Sequence, residues 1–450
     1  MAKFLICHIS ILVSVLIGYA VCAVEDPLII TDYLNNNQIK EARAAALVSY
    51  SQFRNVTSYS GYFTVDQRFN SNLFFWFFPS QGNVSSDPVI LWLQGGPGIA
   101  TVRSLFDENG PFIVDKNLNV TLRNYTWTRN HSMLFIDNPV GVGYSFTNGG
   151  YARNETIVAQ HLYKALTQFF QLFSELKSND FYASGVSYAG KYCPVLANYI
   201  IAKNENATSK INLKGIIVES PFVDPQFQSN YSDYLYQIGL IDNKTRGVFK
   251  AVEEIIVADI KAGDYQGAMD NYAKLIVPYK GPTLFQNATG FDNDLNYLEA
   301  VAPTLYFQNL ITRDDVRSAI HVGNNNFTAI GINVFLNLLL DYPKGVGYQV
   351  ANLLNQNYRV LFYNGQTDVI TAYVLGENFL SHLTFNQAAE YKNASRVIWR
   401  LDNDVAGYVK QAGTLTEVLI RNAGHWVAKN QPRWTYELIL KFTRNNMTFG

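Results

Sequence analysis

Cysteine is nearly absent from this chain. Only Cys7, Cys22 and Cys193 occur in 450 residues, and the first two lie in or beside an N-terminal apolar segment. A chain cut after that segment keeps Cys193 as its only thiol, which excludes an intramolecular disulfide and any metal site built on cysteine pairs. Charge is sparse too. Asp, Glu, Lys and Arg make up 16 % of the residues and the formal net charge is −1, so no long-range field draws the chain toward nucleic acid or acidic lipid. No Lys/Arg run is interleaved with aromatics, and internal repeats and low-complexity linkers are missing. Beyond the N-terminus no apolar run is long enough to span a bilayer. What is abundant is hydrophobic sequence, at 48 %, which excludes a disordered polyelectrolyte and suffices for one large core or two ordinary ones.

The N-terminus carries a specific pattern. Lys3 precedes an apolar run from about Ile9 to Ala20, followed by Val21-Cys22-Ala23 with small residues where a signal peptidase reads. This predicts a removable secretory signal over residues 1–23, with an uncleaved anchor as the alternative. Thirteen Asn-x-Ser/Thr sequons agree with export: Asn55, Asn83, Asn119, Asn124, Asn130, Asn154, Asn206, Asn230, Asn243, Asn287, Asn326, Asn393 and Asn446. So many acceptors behind a signal imply a heavily N-glycosylated, secreted or lysosomal protein with no membrane attachment once the signal is gone.

Apolar runs rich in β-branched and aromatic residues predict buried strands at 73–78, 89–93, 133–136, 181–184, 215–218 and 358–363. Between them lie helical periodicities such as 158–176. Strand–helix alternation predicts an α/β fold, a mostly parallel sheet covered on both faces. The stretch 226–356 differs, being polar, aromatic and mostly helical in pattern (for example 247–262). It reads as a lid inserted into a core formed by 24–225 and 357–450.

Residues 181–190 read Phe-Tyr-Ala-Ser-Gly-Val-Ser-Tyr-Ala-Gly. A strand enters Gly185-x-Ser187-x-Ala189 and a helical segment, 191–202, leaves it, which is the arrangement of a nucleophile elbow. The sharp turn demands small residues two before and two after the serine. A hydroxyl at its ordinary pKa is a weak nucleophile, so a base and an orienting carboxylate must accompany it. In chain order Ser, Asp, His, Asp368 lies just past a strand and a Gly turn. His425 lies on a loop after the short apolar run ending at Ile420 and before a helical pattern over 433–442.

Several motifs occur together in one order: Ser60-Gly-Tyr-Phe-Thr-Val65, Leu73-Phe-Phe-Trp-Phe-Phe78, Ile90-Leu-Trp-Leu-Gln-Gly-Gly-Pro-Gly98, Glu108-Asn-Gly-Pro111, Phe135-Ile-Asp-Asn-Pro-Val-Gly141, the Ser187 elbow and the His425 block. In these the chain resembles the serine carboxypeptidase family, within it the vitellogenic-like animal branch, across nearly the whole mature length. The resemblance implies an α/β-hydrolase fold and hydrolysis of peptide C-termini by Ser187, Asp368 and His425, with no metal or organic cofactor. It assigns the oxyanion hole to the backbones of Gly96 and Tyr188. The substrate's terminal carboxylate falls to Gln94, Gly95 and a pair of carboxyls, one of them Glu108, that share a proton.

The chain departs from that pattern where it has Val186, since the family places Glu immediately before the serine. Valine neither donates nor accepts. Losing a hydrogen bond to a charged group costs roughly 1.5–3 kcal/mol, about ten- to a hundredfold in kcat/KM, and Glu108 is expected to stand without its carboxyl partner. Ile99 in place of a frequent Cys, Ala428 in place of Pro, and Ser220-Pro221 in place of a Gly-Asn-Gly segment are smaller departures. The leading expectation is therefore a serine carboxypeptidase with weakened terminal-carboxylate recognition. An esterase, amidase or acyltransferase on the same triad is the second reading, and a catalytically weak secreted binding glycoprotein the third.

Overall fold

The strand Ser-Asn-Leu-Phe-Phe-Trp-Phe-Phe at 71–78 is buried along its whole length, so both faces of the sheet it enters must be covered. Leu73, Phe75 and Phe77 belong to one core cluster, while Phe74, Trp76 and Phe78 belong to another. This is the period-two alternation of a strand between two apolar layers. Each such side chain contributes roughly 1.5–3 kcal/mol on burial.

The computed structural model describes residues 26–449; the signal segment at 1–23 lies outside the described residues. Twelve strands form among those described: β1 Tyr59–Asp66, β2 Ser71–Phe78, β3 Val89–Leu93, β4 Phe112–Val114, β5 Val120–Leu122, β6 Ser132–Ile136, β7 Phe181–Val186, β8 Leu213–Glu219, β9 Arg359–Gly365, β10 Val397–Leu401, β11 Asp404–Ala412 and β12 Leu415–Ile420. Ten of them make one sheet in the order β1-β2-β6-β3-β7-β8-β9-β12-β11-β10, and β4 with β5 forms a separate hairpin. The centre, from β6 through β12, pairs in parallel. The β1-β2 edge and the β10-β11-β12 edge are antiparallel. The six apolar runs read from the sequence are β2, β3, β6, β7, β8 and β9. The antiparallel C-terminal meander was not foreseen, because its outer strands alternate exposed and buried residues and carry little hydrophobic signal.

Helices Glu155–Leu172 and Ala189–Asn204 cover one face through Val158, Leu162, Phe169, Leu196 and Ile200. Between β8 and β9 the described chain is helices and loops only, from Tyr231–Gln237 to Gly347–Asn355. This is the stretch expected to form an inserted lid. In a parallel sheet the strands' carboxyl ends open onto one edge, and ligands bind outside that edge. Gln94, Ser187, Ser220, Asp368 and His425 all follow the carboxyl ends of parallel strands.

Candidate active site

Ser187 follows β7 directly, with φ +63°. A left-handed conformation costs a non-glycine residue on the order of 1–2 kcal/mol and persists only where the surroundings hold it. Here the holding is explicit. The Ser187 N–H donates to the Glu219 carbonyl at 2.9 Å, and the Ser187 carbonyl accepts from Gly190 at 2.8 Å and Phe222 at 3.0 Å. The turn also packs tightly. A Cβ on Gly185 would lie 2.3 Å from the Leu93 carbonyl oxygen, and one on Gly95 would lie 2.6 Å from the Tyr188 nitrogen. Both positions therefore require glycine.

Asp368 is fully buried and His425 is 4 % exposed. The imidazole Nδ1 lies 2.9 Å from Asp368 Oδ2, which leaves Nε2 as the free face of the ring. The carboxylate is held by the Thr371 hydroxyl, donating to Oδ2 at 2.8 Å, and by the Thr371 N–H, donating to Oδ1 at 3.3 Å. Residues of the helical insertion lock both loops. The His425 N–H donates to the Leu295 carbonyl at 2.7 Å, and Val369 and Ile370 donate to the Asp294 carbonyl at 3.2 and 3.0 Å. From the opposite side the Ser220 hydroxyl donates to the His425 carbonyl at 3.0 Å.

Ser187, Tyr188, Gly96, Gln94 and His425 line one cleft of about 260 Å³, together with Ile99, Arg103, Phe222, Ile276, Val277, Pro278, Asp294, Leu295, Tyr342, Ile370, Thr371 and Trp426. Most of its wall is apolar. Among the described residues, the N–H groups of Gly96 and Tyr188 are not engaged in internal hydrogen bonds. Two fixed donors at a serine's side are what a tetrahedral oxyanion needs.

Behind the cleft lies a buried carboxyl system. Gln94 Nε2 donates to Glu108 Oε1 at 2.6 Å and to Ser104 Oγ at 2.8 Å, and the Gly95 N–H donates to the Gln94 side-chain oxygen at 3.2 Å. Glu108 Oε2 has no hydrogen-bond partner among the described residues. Burial, against the opposing charge of Arg103, pushes the Glu108 pKa up to about 7. Glu108 has no hydrogen-bonded carboxyl partner among the described residues, but a second buried acid lies within electrostatic reach. Glu219 on β8 is also fully buried, and burial together with the Glu108 charge raises its pKa well above the ordinary range. Its oxygens accept from the Tyr363 hydroxyl at 2.6 Å and the Val427 N–H at 2.5 Å. Glu219 pairs in register with Val186. An acidic residue closing the apolar run Ile216-Ile217-Val218 of a parallel strand was a readable signal, whereas Thr371, Asp294 and Arg103 had none. Asp294 stands in the cleft wall, and its pKa is pushed up to about 6 by removal from water, partly offset by His425. The lone described thiol, Cys193, is buried in the helix after the elbow, and burial drives its pKa upward, so it is not a reactive group.

Comparison with known proteins gives a consistent picture. The serine carboxypeptidase family model matches residues 49–445. A venom serine carboxypeptidase of Apis mellifera is 45 % identical over 426 residues, covering 93 % of this chain and 91 % of that protein. A vitellogenic carboxypeptidase of Aedes aegypti is 41 % identical over 429 residues, covering 94 % and 90 %. Among solved structures, a prohormone-processing carboxypeptidase of Saccharomyces cerevisiae superposes with a TM-score of 0.73 at 20 % identity, covering 90 % of this chain and 96 % of that one. That likeness establishes the α/β-hydrolase fold.

Proposed function

Because this chain belongs to the serine carboxypeptidase family, we propose that it releases C-terminal residues from peptides through an acyl-enzyme formed on Ser187. The observation that carries this reading is the 2.9 Å hydrogen bond from His425 Nδ1 to Asp368 at the cleft into which Ser187 opens. His425 Nε2 takes the serine proton as Oγ attacks the scissile carbonyl, and then returns it to the leaving amine. Asp368 holds the tautomer and, with Thr371, the ring's orientation. The backbone N–H groups of Gly96 and Tyr188 stabilise the oxyanion in both half-reactions. Water attacks the acyl-enzyme with His425 again as base.

Gln94 and Gly95 contribute to holding the free C-terminus, with Glu108 as a buried acid that keeps its proton under acidic conditions. Val186 removes one donor from that set. Residues 226–356 act as a lid, since Ile276, Val277, Asp294 and Tyr342 from this stretch line the cleft and supply much of the side-chain preference. The protein is exported and glycosylated. Eleven of the thirteen sequon asparagines are exposed, and the other two, Asn130 and Asn154, are half-buried. Among the described residues no helix is long and apolar enough to cross a membrane.

The test compares an N-blocked dipeptide as free acid and as C-terminal amide, at about pH 4.5 and about pH 7. Faster cleavage of the free acid, stoichiometric labelling of Ser187 by a fluorophosphonate, and loss of both activities in Ser187→Ala are expected. Cleavage of the amide alone would support an amidase or esterase, and an unlabelled Ser187 would defeat the enzymatic reading.

A further inference from the structure

Arg103 is the one fixed cation among the described residues that line the catalytic cleft. It is about nine-tenths buried, yet its Nε and Nη2 make no hydrogen bond among the described residues. Its ion-pair contact is Asp107 Oδ2 at 3.5 Å from Nε, too long for a good hydrogen bond. A buried guanidinium left with open donors is costly unless something pairs with it.

The guanidinium is also held in place. Its central carbon lies 3.6 Å from the centroid of the Trp426 ring, next to His425 in sequence, so cation–π attraction fixes the planar fork before any ligand arrives. The charges of Glu108 and Asp107 also act on it. Burial raises the pKa of both acids, which weakens their hold on the arginine's charge as the solution becomes acidic. A carboxylate would complete the pairing in the bidentate geometry that guanidinium favours. A peptide about to lose its last residue presents one two bonds beyond the leaving nitrogen, which places it in the nucleophile's own cleft.

We propose that Arg103 is a specificity-determining residue whose guanidinium receives the substrate's terminal α-carboxylate, beside Gln94 and in place of the carboxyl that Val186 lacks. This rests on the carboxypeptidase reading above. A side-chain carboxylate on the leaving residue offers the same chemistry, so the experiment must separate the two.

Three N-blocked dipeptides are compared: a free acid with a Leu leaving residue, its C-terminal amide, and an amide with Glu as leaving residue. The readout is the acid-to-amide ratio of kcat/KM in wild type, Arg103→Met and Arg103→Lys. Methionine keeps apolar contact with Trp426 and removes the charge. The expected result is a wild-type preference for the free acid that falls by about ten- to a hundredfold in Arg103→Met, mainly through KM. Arg103→Lys should retain an intermediate preference, because it keeps a charge but not the fork. A ratio unchanged in Arg103→Met overturns the proposal, as does a loss confined to the Glu amide or a wild type indifferent to amidation. Should Arg103→Met fail to fold, as judged by its thermal melt, a wild-type ratio in Arg103→Lys overturns the bidentate role. Fluorophosphonate labelling of wild-type Ser187 separates the two levels: without it the premise fails, and with it only the arginine's role is at stake.

Discussion

Val186 and Glu219 stand opposite each other in the parallel pairing of β7 with β8, in the register position just before Ser187. Tyr363 is next in that row, on β9, and donates its hydroxyl to Glu219. A carboxyl therefore stands on the adjacent strand beside position 186, buried and within electrostatic reach of Glu108. In this row the acid lies one strand over from the residue that precedes Ser187.

Val186→Glu tests this arrangement. The new carboxyl would be flanked by Glu219 and face Glu108, three acids with no added cation. The variant is expected to lose about 1–3 kcal/mol of stability and to gain no activity on free-acid peptides. Adding Glu219→Gln keeps the hydrogen-bonding atoms toward Tyr363 and Val427 and removes one charge. It should recover at least half of the loss, as a double-mutant cycle by denaturant titration would show. Strict additivity would mean the two positions do not interact.

Thr371 holds Asp368 through two donors. Thr371→Val removes the hydroxyl while preserving shape, and is expected to lower kcat about tenfold with KM nearly unchanged. Thr371→Ser should restore most of it. Equal losses in the Val and Ser variants would assign the residue to packing instead.

Gly95 abuts the elbow, and a Cβ there would lie 2.7 Å from Ser187 Cβ. Gly95→Ala must displace either the Gly96 loop or the Ser187–Tyr188 turn, and each carries one of the two proposed oxyanion donors. A fall in kcat of roughly 10²- to 10³-fold is expected, with the protein still folded by circular dichroism. Retention of activity would show that the turn tolerates movement.

Buried carboxyls set the pH dependence of stability. Burial raises the pKa of Asp137 to about 6, of Glu108, Glu253 and Glu417 to about 7, of Glu155 to about 8, and of Glu219 well above its ordinary value. Around Glu108 the groups that act on it are Arg103, Asp107, His425 and Lys429, together with the buried Glu219. An acid whose folded pKa is raised contributes stability that is whole below its unfolded value and is lost as pH rises through the folded one. Here that window runs from about pH 4.5 to about pH 8. His131 and His161, both lowered to about 4 by burial, act oppositely and cost stability as pH falls below about 6.5. The raised carboxyls, Asp107 and Asp294 among them, outnumber the two lowered imidazoles, so Tm should be several degrees higher near about pH 5 than near about pH 8. A higher Tm at the alkaline end would contradict these assignments.

The sequence determined the local pieces on its own. Six apolar runs specified the buried strands, because a fully covered strand leaves a dense hydrophobic signal. Gly185-x-Ser187-x-Ala189 specified the elbow, because only small residues permit so sharp a turn. The chemistry of an activated hydroxyl called for a base and a carboxylate, and the chain order of α/β-hydrolases pointed to Asp368 and His425. Only the tertiary structure decided what surrounds those residues. The sheet places Glu219 beside Val186 and within electrostatic reach of Glu108, and Arg103 lies over the Trp426 ring from more than three hundred positions away. Thr371, Leu295 and Asp294 brace the triad loops through contacts between distant segments. Periodicity and turn chemistry are local properties written into a few neighbouring residues. Which strand pairs with which, and which buried charges then share one enclosure, depends on how the whole sheet closes.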